Sequence, residues 1–524
     1  MRSGTSTARL SFGSIIPGLM GLGVFGLTLA AYTRYLDTGF AATDSLPLVE
    51  SSRLTGIDDA LRLFAGPVMA GTRFVVVEIV YRPFVSLSFG LDHLVWGMNP
   101  FGYHLTNLAV HLCAVLGLWL LARRLGMTWW SSLAGAAVFS LHPLVLASVP
   151  VIARRDSLFP VAAFAGAAVC VLSGGEATGR RRLLLGGGAG VFLCIALLSK
   201  ESAFAAFGLL PVLLVASAWG RGASPRQALS RLWILAPFVG LAGGLFLVRW
   251  SILGGLGGVI PSENLLLIDF DRYGQIVGAY TRTLLWPFAS LASSTREVWR
   301  IAAAALVAGL AIAMLWLPRR QAAVFGAGVL WVVTFGVFCT VLRIGTIAWL
   351  AYFGLIGIGL LYAAGIEGAV ARLRQPRAEA PWHINLARGA SIGLLLGLFG
   401  YALTSLSASA LFRDYDQWRL AGATTNRFMQ ALTTCVAGAP DAKRVNFVSL
   451  PSGFDDGRIE TSLLGVTLLE EWTVESAIRV AFPDRALVTH VSSVATVRGA
   501  PETLQFRCGL IQDGVELETV FRPG

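Results

Sequence analysis

Charge is scarce in this 524-residue chain: 14% of residues are Asp, Glu, Lys or Arg, against about 25% in a soluble domain. Lysine is nearly missing. It occurs only at Lys200 and Lys443, and Arg supplies the remaining positive charge. That usage fits a GC-rich, bacterial genome. The net charge of +11 does not point to nucleic acid, because basic residues are expected to gather in the cytoplasmic loops of a membrane protein. Cysteine is sparse too, with six residues and neither a CxxC pair nor a Cys/His metal spacing, which argues against a structural zinc site. The glycine run Gly254–Gly258 has no preceding strand and no following GK[ST], so it is not a nucleotide-phosphate loop. The first apolar run continues to about Leu36 without an A-x-A site and reads as a retained span, not a cleaved leader.

Apolar residues are abundant, at 55%, and mean hydropathy is +0.68. The chain is therefore read as a polytopic α-helical membrane protein. Runs long enough to span lie at about 12–34, 103–122, 130–150, 157–173, 183–198, 203–219, 232–250, 299–317, 322–342, 347–369 and 389–411, giving about 11 helices. Arg2 and Arg9, Arg123 and Arg124, Arg180–Arg182, Arg221, Arg226 and Arg231, Arg319 and Arg320, and Arg372–Arg388 fall on every second loop. One orientation satisfies them all: N-terminus in the cytoplasm, C-terminus outside. The expected location is a bacterial inner membrane, multi-pass, with the outer face in the periplasm.

In that orientation the first external loop, about 35–102, is far longer than a connector, and long ordered loops are usually functional. Ile57–Phe64 has helical spacing and Val85–Trp96 is amphipathic, so two helices lying along the membrane surface are expected. The second external loop, about 251–298, holds Asp269, Asp271 and Arg272 and ends in YTRTLLWPF. Arg154, Arg155 and Asp156 leave positive charge on the outer side, against the general rule, and Ser199–Glu201 places Lys200 and Glu201 between two spans. Ionisable groups at membrane depth are costly and often functional, although any one of these could be a helix-end charge that snorkels to water. Asp92, His93, His104, Asn107 and His111 recur at or near helical spacing. Two histidines seven residues apart are no metal signature and read better as packed, satisfied side chains.

After Leu411 the hydropathy ends. Residues 412–524 read as a small extracytoplasmic α/β domain: helical from Asp414 to Cys435, a strand at Val445–Leu450 before a Pro-Ser-Gly turn, broken helix from Ile459 to Phe482, and strands at Val488–Val497, Leu504–Ile511 and Val515–Phe521. Cys435 and Cys508 are the two cysteines in this polar part and form a natural disulfide pair if it lies outside the cytoplasm. Cys113, Cys170, Cys194 and Cys339 lie in apolar runs as small hydrophobes.

A series of motifs in fixed order carries a resemblance. It runs from Gly39-Phe40 and Asp44, through LRLF at Leu61–Phe64 and YRPFVSLSFGLDHLVWGMNPFGYHLTNLAVH at Tyr81–His111, to LHPLVLASVPVIARRD at Leu141–Asp156 and LSKE at Leu198–Glu201. This series resembles the transmembrane O-mannosyltransferases with tetratricopeptide repeats and their bacterial relatives, within the C-type glycosyltransferase (GT-C) superfamily. The likeness covers roughly residues 35–205, continues weakly at Thr283–Pro287 and fades beyond. No 34-residue repeat follows the membrane part. The family's first-loop motif reads GF-x-W-D-D, whereas here Thr43 takes the place of one acid.

The resemblance implies a membrane enzyme that takes a sugar from a polyprenyl-phosphate donor at the outer face. It implies Asp44 as general base, and Arg82, Arg154, Arg155 and Lys200 as ligands of the donor phosphate, with Asp92, His93, His104, Asp156 and Glu201 in support. The chemistry agrees, since a carboxylate suits deprotonation of an acceptor hydroxyl and Arg or Lys suits a phosphate. Asp37, Glu50, Asp58, Asp59 and Glu78 are competing acids in the same loop. No cofactor is expected, and a divalent metal is left open, less favoured because Thr43 removes one carboxylate. The expected partners are the lipid donor, the bilayer and a protein or glycan acceptor. Two other classes stand beside this one: a transporter or flippase of lipid-linked sugars, and an inactive GT-C-fold scaffold.

Overall fold

The computed structural model describes residues 12–76, 78–255, 257–259, 280–281, 283–284, 314–341, 348–374, 382–412, 416–438, 444–448, 450–455, 466–485, 488–491, 494–498, 506–512 and 515–521. The first membrane helix, α1 (Phe12–Tyr32), is followed by the long first loop, which holds α2 (Ser45–Ser51), α3 (Ile57–Ala65), β1 (Glu78–Ile79) and α4 (Pro83–Trp96). Then come α5 (Pro100–Arg124), α6 (Trp129–Leu141), α7 (Arg155–Gly174), α8 (Gly179–Leu197), α9 (Ser202–Phe207), α10 (Leu210–Gly220), α11 (Pro225–Ser230) and α12 (Ala236–Leu253). After β2 (Gly258–Val259) the described helices are α13 (Arg319–Val341), α14 (Ala348–Leu373) and α15 (Trp382–Ser407). Among the described residues eight helical stretches are long and apolar enough to cross a membrane. Most of the expected span at 299–317 and most of the second loop, with Asp269, Asp271 and Arg272, lie outside the described residues.

Local sequence sets the boundaries around the first loop. Pro83 opens α4 at a position where its missing N–H costs nothing, and Gly97 closes it with φ +56. Asn99 caps α5 by accepting from the Phe101 N–H at 3.1 Å, with Pro100 as the first helical residue. At the end of α6, His142 precedes Pro143 and takes an extended ψ of 136°, as a residue before proline should. The expected span at 130–150 is therefore shorter than its hydropathy suggests. A 3-10 turn, Pro143–Ala147, lies in its second half, and a further one, Ile152–Arg154, brings Arg154, Arg155 and Asp156 to the start of α7.

The bundle packs around α14, which lies against α13, α6 and α15. Small residues bring these backbones together. A Cβ on Gly328 would lie 2.8 Å from the Gly357 oxygen, and one on Gly135 would lie 2.3 Å from the Gly359 oxygen. The first and second loops are joined by an antiparallel ladder pairing Glu78 with Val259 and Ile79 with Gly258, just before Tyr81 and Arg82.

The C-terminal part contains α16 (Gln417–Ala437), β3 (Arg444–Val448), β4 (Leu450–Asp455), α17 (Glu471–Ala481), β5 (Val488–Val491), β6 (Val494–Arg498), β7 (Phe506–Gln512) and β8 (Val515–Phe521). One sheet has the order β5-β3-β7-β8, and β4 pairs with β6 in a second. Two details of the sequence reading change. Pro451-Ser452-Gly453 is not a turn but the middle of β4, where a register irregularity between Pro451 and Gly453 accommodates the residue that cannot donate. The single strand expected at Val488–Val497 is two strands in different sheets. Cys435 is disulfide-bonded. Its expected partner Cys508 lies on β7, which packs against α16, and the Cys508 side chain is outside the described residues.

Candidate active site

Asp44 sits at the entry to α2 in a tightly turned backbone. Ala42 just before it has φ +73, a left-handed conformation costing a residue with a Cβ about 1 kcal/mol or more. The Thr43 hydroxyl donates to Asp44 Oδ1 at 3.0 Å. Facing the other carboxylate oxygen, Arg154 Nη1 lies 3.6 Å from Asp44 Oδ2. The Arg154 guanidinium stacks over the Trp349 ring, 3.5 Å from its centre. Its Nε is buried with no hydrogen-bond partner among the described residues. Three distant pieces of chain thus meet here: the first loop, the turn before α7 and the start of α14.

Two residues on from Arg154, in the first turn of α7, Asp156 Oδ2 accepts from both Arg82 Nη1 at 2.9 Å and Lys200 Nζ at 2.8 Å. Arg82 also grips Glu201 with two nitrogens, Nε at 3.2 Å and Nη2 at 2.6 Å, the fork geometry that favours Arg over Lys. Lys200 donates as well to Ser157 Oγ at 2.8 Å. Arg249, from the end of α12, donates to the Tyr81 carbonyl at 3.2 Å and lies 3.9 Å from Glu201. Burial alone would raise the Glu201 carboxyl, but the Arg82 charge and hydrogen bonds, then Lys200 and Arg249, outweigh it and bring it to about 2. Burial pulls the Lys200 ammonium below its usual range despite the Asp156 charge beside it. Four cations (Arg82, Arg154, Lys200, Arg249) are gathered with the carboxylates of Asp44, Asp156 and Glu201, a cluster of Arg and Lys of the kind that suits an anionic ligand.

Arg155 lies apart from this cluster. It was expected at a phosphate, but its side chain is 0% exposed. Its Nε donates to Asn107 Oδ1 at 2.9 Å, Nη1 to Ser88 at 3.2 Å, and Nη2 to Asp92 at 2.5 Å and the Tyr103 carbonyl at 3.0 Å. Phe89 lies against its face, with the ring centre 4.4 Å from the guanidinium carbon. Arg155 and Asp92 thus lock α4, α5 and α7 together. Asp92 receives a further bond from Thr106 at 2.9 Å.

The histidines fill structural places. His104 Nε2 meets the Thr38 carbonyl at 2.8 Å, holding the loop that leads to Asp44. His111 Nδ1 meets the Tyr352 hydroxyl at 2.8 Å and Nε2 the Ser140 carbonyl at 3.3 Å. His93 is half-buried on α4, where burial and then the Arg53 charge push its imidazole below the usual range. Among the described residues no group of three or more His, Cys, Asp or Glu side chains could hold a metal ion.

Sequence reasoning did not single out Arg249, Trp349 as a stacking partner, or Glu470. The signal for Arg249 was visible as a lone charge inside an apolar run. Glu470 comes from the C-terminal part, and burial and then the Asp44 charge raise its carboxyl.

No family model matches the chain. The protein O-mannosyl-transferase Tmtc1 of Drosophila melanogaster is 30% identical over 226 residues, covering 41% of this chain and 25% of that protein. Human TMTC2, also a protein O-mannosyl-transferase, is 39% identical over 79 residues, 14% of this chain and 9% of that protein. This chain is related in sequence to the protein O-mannosyl-transferases. The resemblance read from its motifs is thereby borne out. The chain spans about a quarter of the length of the Tmtc1 relative. Among solved structures, ArnT from Cupriavidus metallidurans bound to undecaprenyl phosphate is similar with a TM-score of 0.44 and 14% identity over 91% of this chain and 89% of that one. The archaeal oligosaccharyltransferase AglB from Archaeoglobus fulgidus, in complex with an inhibitory peptide and a dolichol-phosphate, gives a TM-score of 0.44 and 10% identity over 82% of this chain and 59% of that one.

Proposed function

We propose that this O-mannosyltransferase-like protein is a membrane glycosyltransferase that moves a sugar from a polyprenyl-phosphate donor to a hydroxyl of an external protein or glycan. The observation that carries the reading is the meeting of Asp44 with Arg154, 3.6 Å apart, beside a cluster of Arg82, Lys200 and Arg249. In the reaction Asp44 takes the acceptor proton as the oxygen attacks the anomeric carbon. The bond from that carbon to the phosphate oxygen breaks with inversion, and the lipid phosphate leaves with the electron pair. Arg154, held flat by Trp349, meets the charge that grows on the leaving phosphate, the kind of electrostatic stabilisation worth most in a shielded site. Arg82, Lys200 and Arg249 add positive potential while remaining tied to their own carboxylates. Thr43 stands where the resemblance places a second acid, which leaves one carboxylate fewer for a divalent metal, so transfer is expected to survive treatment with a chelator.

The test is sugar transfer from a panel of labelled polyprenyl-phosphate sugars by the purified protein in detergent, with membrane extract as acceptor. Wild type should consume one of them. Asp44→Asn should lose on the order of a hundredfold or more in turnover while still binding donor, and Arg82→Ala should lose both binding and turnover. Equal activity in Asp44→Asn would remove it as base. A wild type that binds donors without consuming any would point to a carrier or an inactive scaffold.

A further inference from the structure

The first loop does not hold Asp44 by itself. Every stretch of it that flanks the carboxylate leans on the C-terminal domain. Before Asp44, Gly39 lies so close to α16 that a Cβ there would stand 2.3 Å from Asn426 Oδ1 and 2.7 Å from the Gly422 oxygen. After it, Glu50 accepts from Ser476 at 2.8 Å and Arg479 at 3.3 Å, and Arg479 also donates to the Gly71 carbonyl at 3.0 Å. Arg73 pairs with Glu471 and, at 3.3 Å, with Glu475.

The contacts at the centre of this surface are more specific. Thr473 Oγ1 donates to the Thr43 carbonyl at 2.7 Å and in turn accepts from the Glu470 N–H at 3.1 Å. The Thr43 N–H points to Thr467 Oγ1 at 3.5 Å. Both backbone polar groups of Thr43 are therefore met by threonine hydroxyls from the C-terminal domain. This is the peptide that follows the left-handed Ala42 and whose side chain donates to Asp44. A left-handed alanine persists only where its surroundings over-determine it, and these two hydroxyls supply that constraint.

We propose that Thr473, assisted by Thr467, is a positioning residue for the base: the C-terminal domain clamps the Thr43 peptide so that the Thr43 hydroxyl fixes the Asp44 carboxylate opposite Arg154. Neither threonine touches the reacting groups. The inference rests on the transfer reaction proposed above, with Asp44 as its base. A small displacement of a catalytic group is enough to matter, since about 1 Å can cost on the order of a hundredfold in rate.

The experiment measures kcat and donor KM for transfer, with melting temperatures, for wild type, Thr473→Val, Thr473→Ser, Thr467→Ala and Asp44→Asn. Thr473→Val should lower kcat by roughly ten- to a hundredfold and leave donor KM within about twofold, because ground-state donor contacts are intact. Thr473→Ser keeps the hydroxyl and should recover most of the lost kcat. Thr467→Ala should fall between. Wild-type kcat in Thr473→Val, or a loss that Thr473→Ser does not recover, would overturn the inference while Asp44→Asn still shows that the enzyme reading stands. Should Thr473→Val fail to fold, Thr467→Ala decides: a kcat loss at unchanged KM supports the clamp, and no loss overturns it. A wild type that consumes no donor overturns both readings, and full activity in Asp44→Asn removes the base on which both rest.

Discussion

Arg154 is sandwiched between Trp349 and Asp44, with the indole centre 3.5 Å from its guanidinium carbon and the carboxylate 3.6 Å from Nη1. A planar cation held against an aromatic face keeps one edge available for a second anion.

Arg154→Ala should therefore weaken donor binding by roughly ten- to a hundredfold, the worth of about 1.5–3 kcal/mol for hydrogen bonds to a charged group. Arg154→Lys should recover only part of it, since a lysine keeps the charge but not the stack. Trp349→Ala should cost a few-fold. Titration of a fluorescent polyprenyl phosphate into the purified variants measures all three.

The Arg155–Asp92 pair answers to stability. With Arg155 0% and Asp92 12% exposed, Asp92→Ala leaves a sealed cation without its anion, a change that costs about 3–5 kcal/mol. Thermal melting in detergent should fall clearly. The double variant Asp92→Ala/Arg155→Met should recover most of the loss, because a well-packed apolar replacement carries no desolvation cost. If both variants melt as low as each other, the pair is not the lock described here.

Glu201 sets an acid limit. Its carboxyl in the folded protein is at about 2, below its ordinary 4.5, so the folded state binds fewer protons than the unfolded one in between. The stability this contributes is complete above about pH 4.5 and is lost as pH falls through 4.5 toward 2. Glu201→Gln should melt below wild type at pH 7, and the gap should narrow on acidification across that window. A gap that stays constant with pH would remove Glu201 from the acid response.

Gly39→Ala tests the wall behind the base. Its new Cβ would meet a backbone carbonyl, that of Gly422, at 2.7 Å, which cannot swing aside as a long side chain could. Turnover should fall by on the order of tenfold or more, as for any small misplacement of a catalytic group, while donor binding persists. Steady-state kinetics alongside donor titration separates the two.

Much of this was readable in advance where the signal is local. Ile57–Ala65 and Pro83–Trp96 form the two loop helices anticipated from spacing, and the motif residues Asp44, Arg154, Asp156, Lys200 and Glu201 do converge. Asp156 and Lys200 meet through a hydrogen bond between residues 44 positions apart, which periodicity cannot reveal but ordered motifs can. What was missed lies across greater separations or against local propensity. Thr473 reaches Thr43 over 430 positions, and nothing in a threonine near a helix start announces that contact. Ser45–Ser51 is a helix of 7 residues, about two turns, too short to show a period. Arg155 was grouped with its neighbours Arg154 and Asp156, which face the site, while its own side chain is buried against Asp92, a separation that consecutive residues of a helix produce and a motif does not show.

The clamp on Thr43 also has a meaning in time. The loop that carries Asp44 emerges early in synthesis, and domains fold in the order they are made. The hydroxyls that complete it belong to a domain made after the bundle. On the proposed reading, a nascent chain would thus hold its membrane helices and the arginines assigned to the donor before it holds a finished base. Catalytic competence would arrive with the docking of the C-terminal domain, so that a truncated or misassembled copy could occupy the lipid donor without spending it.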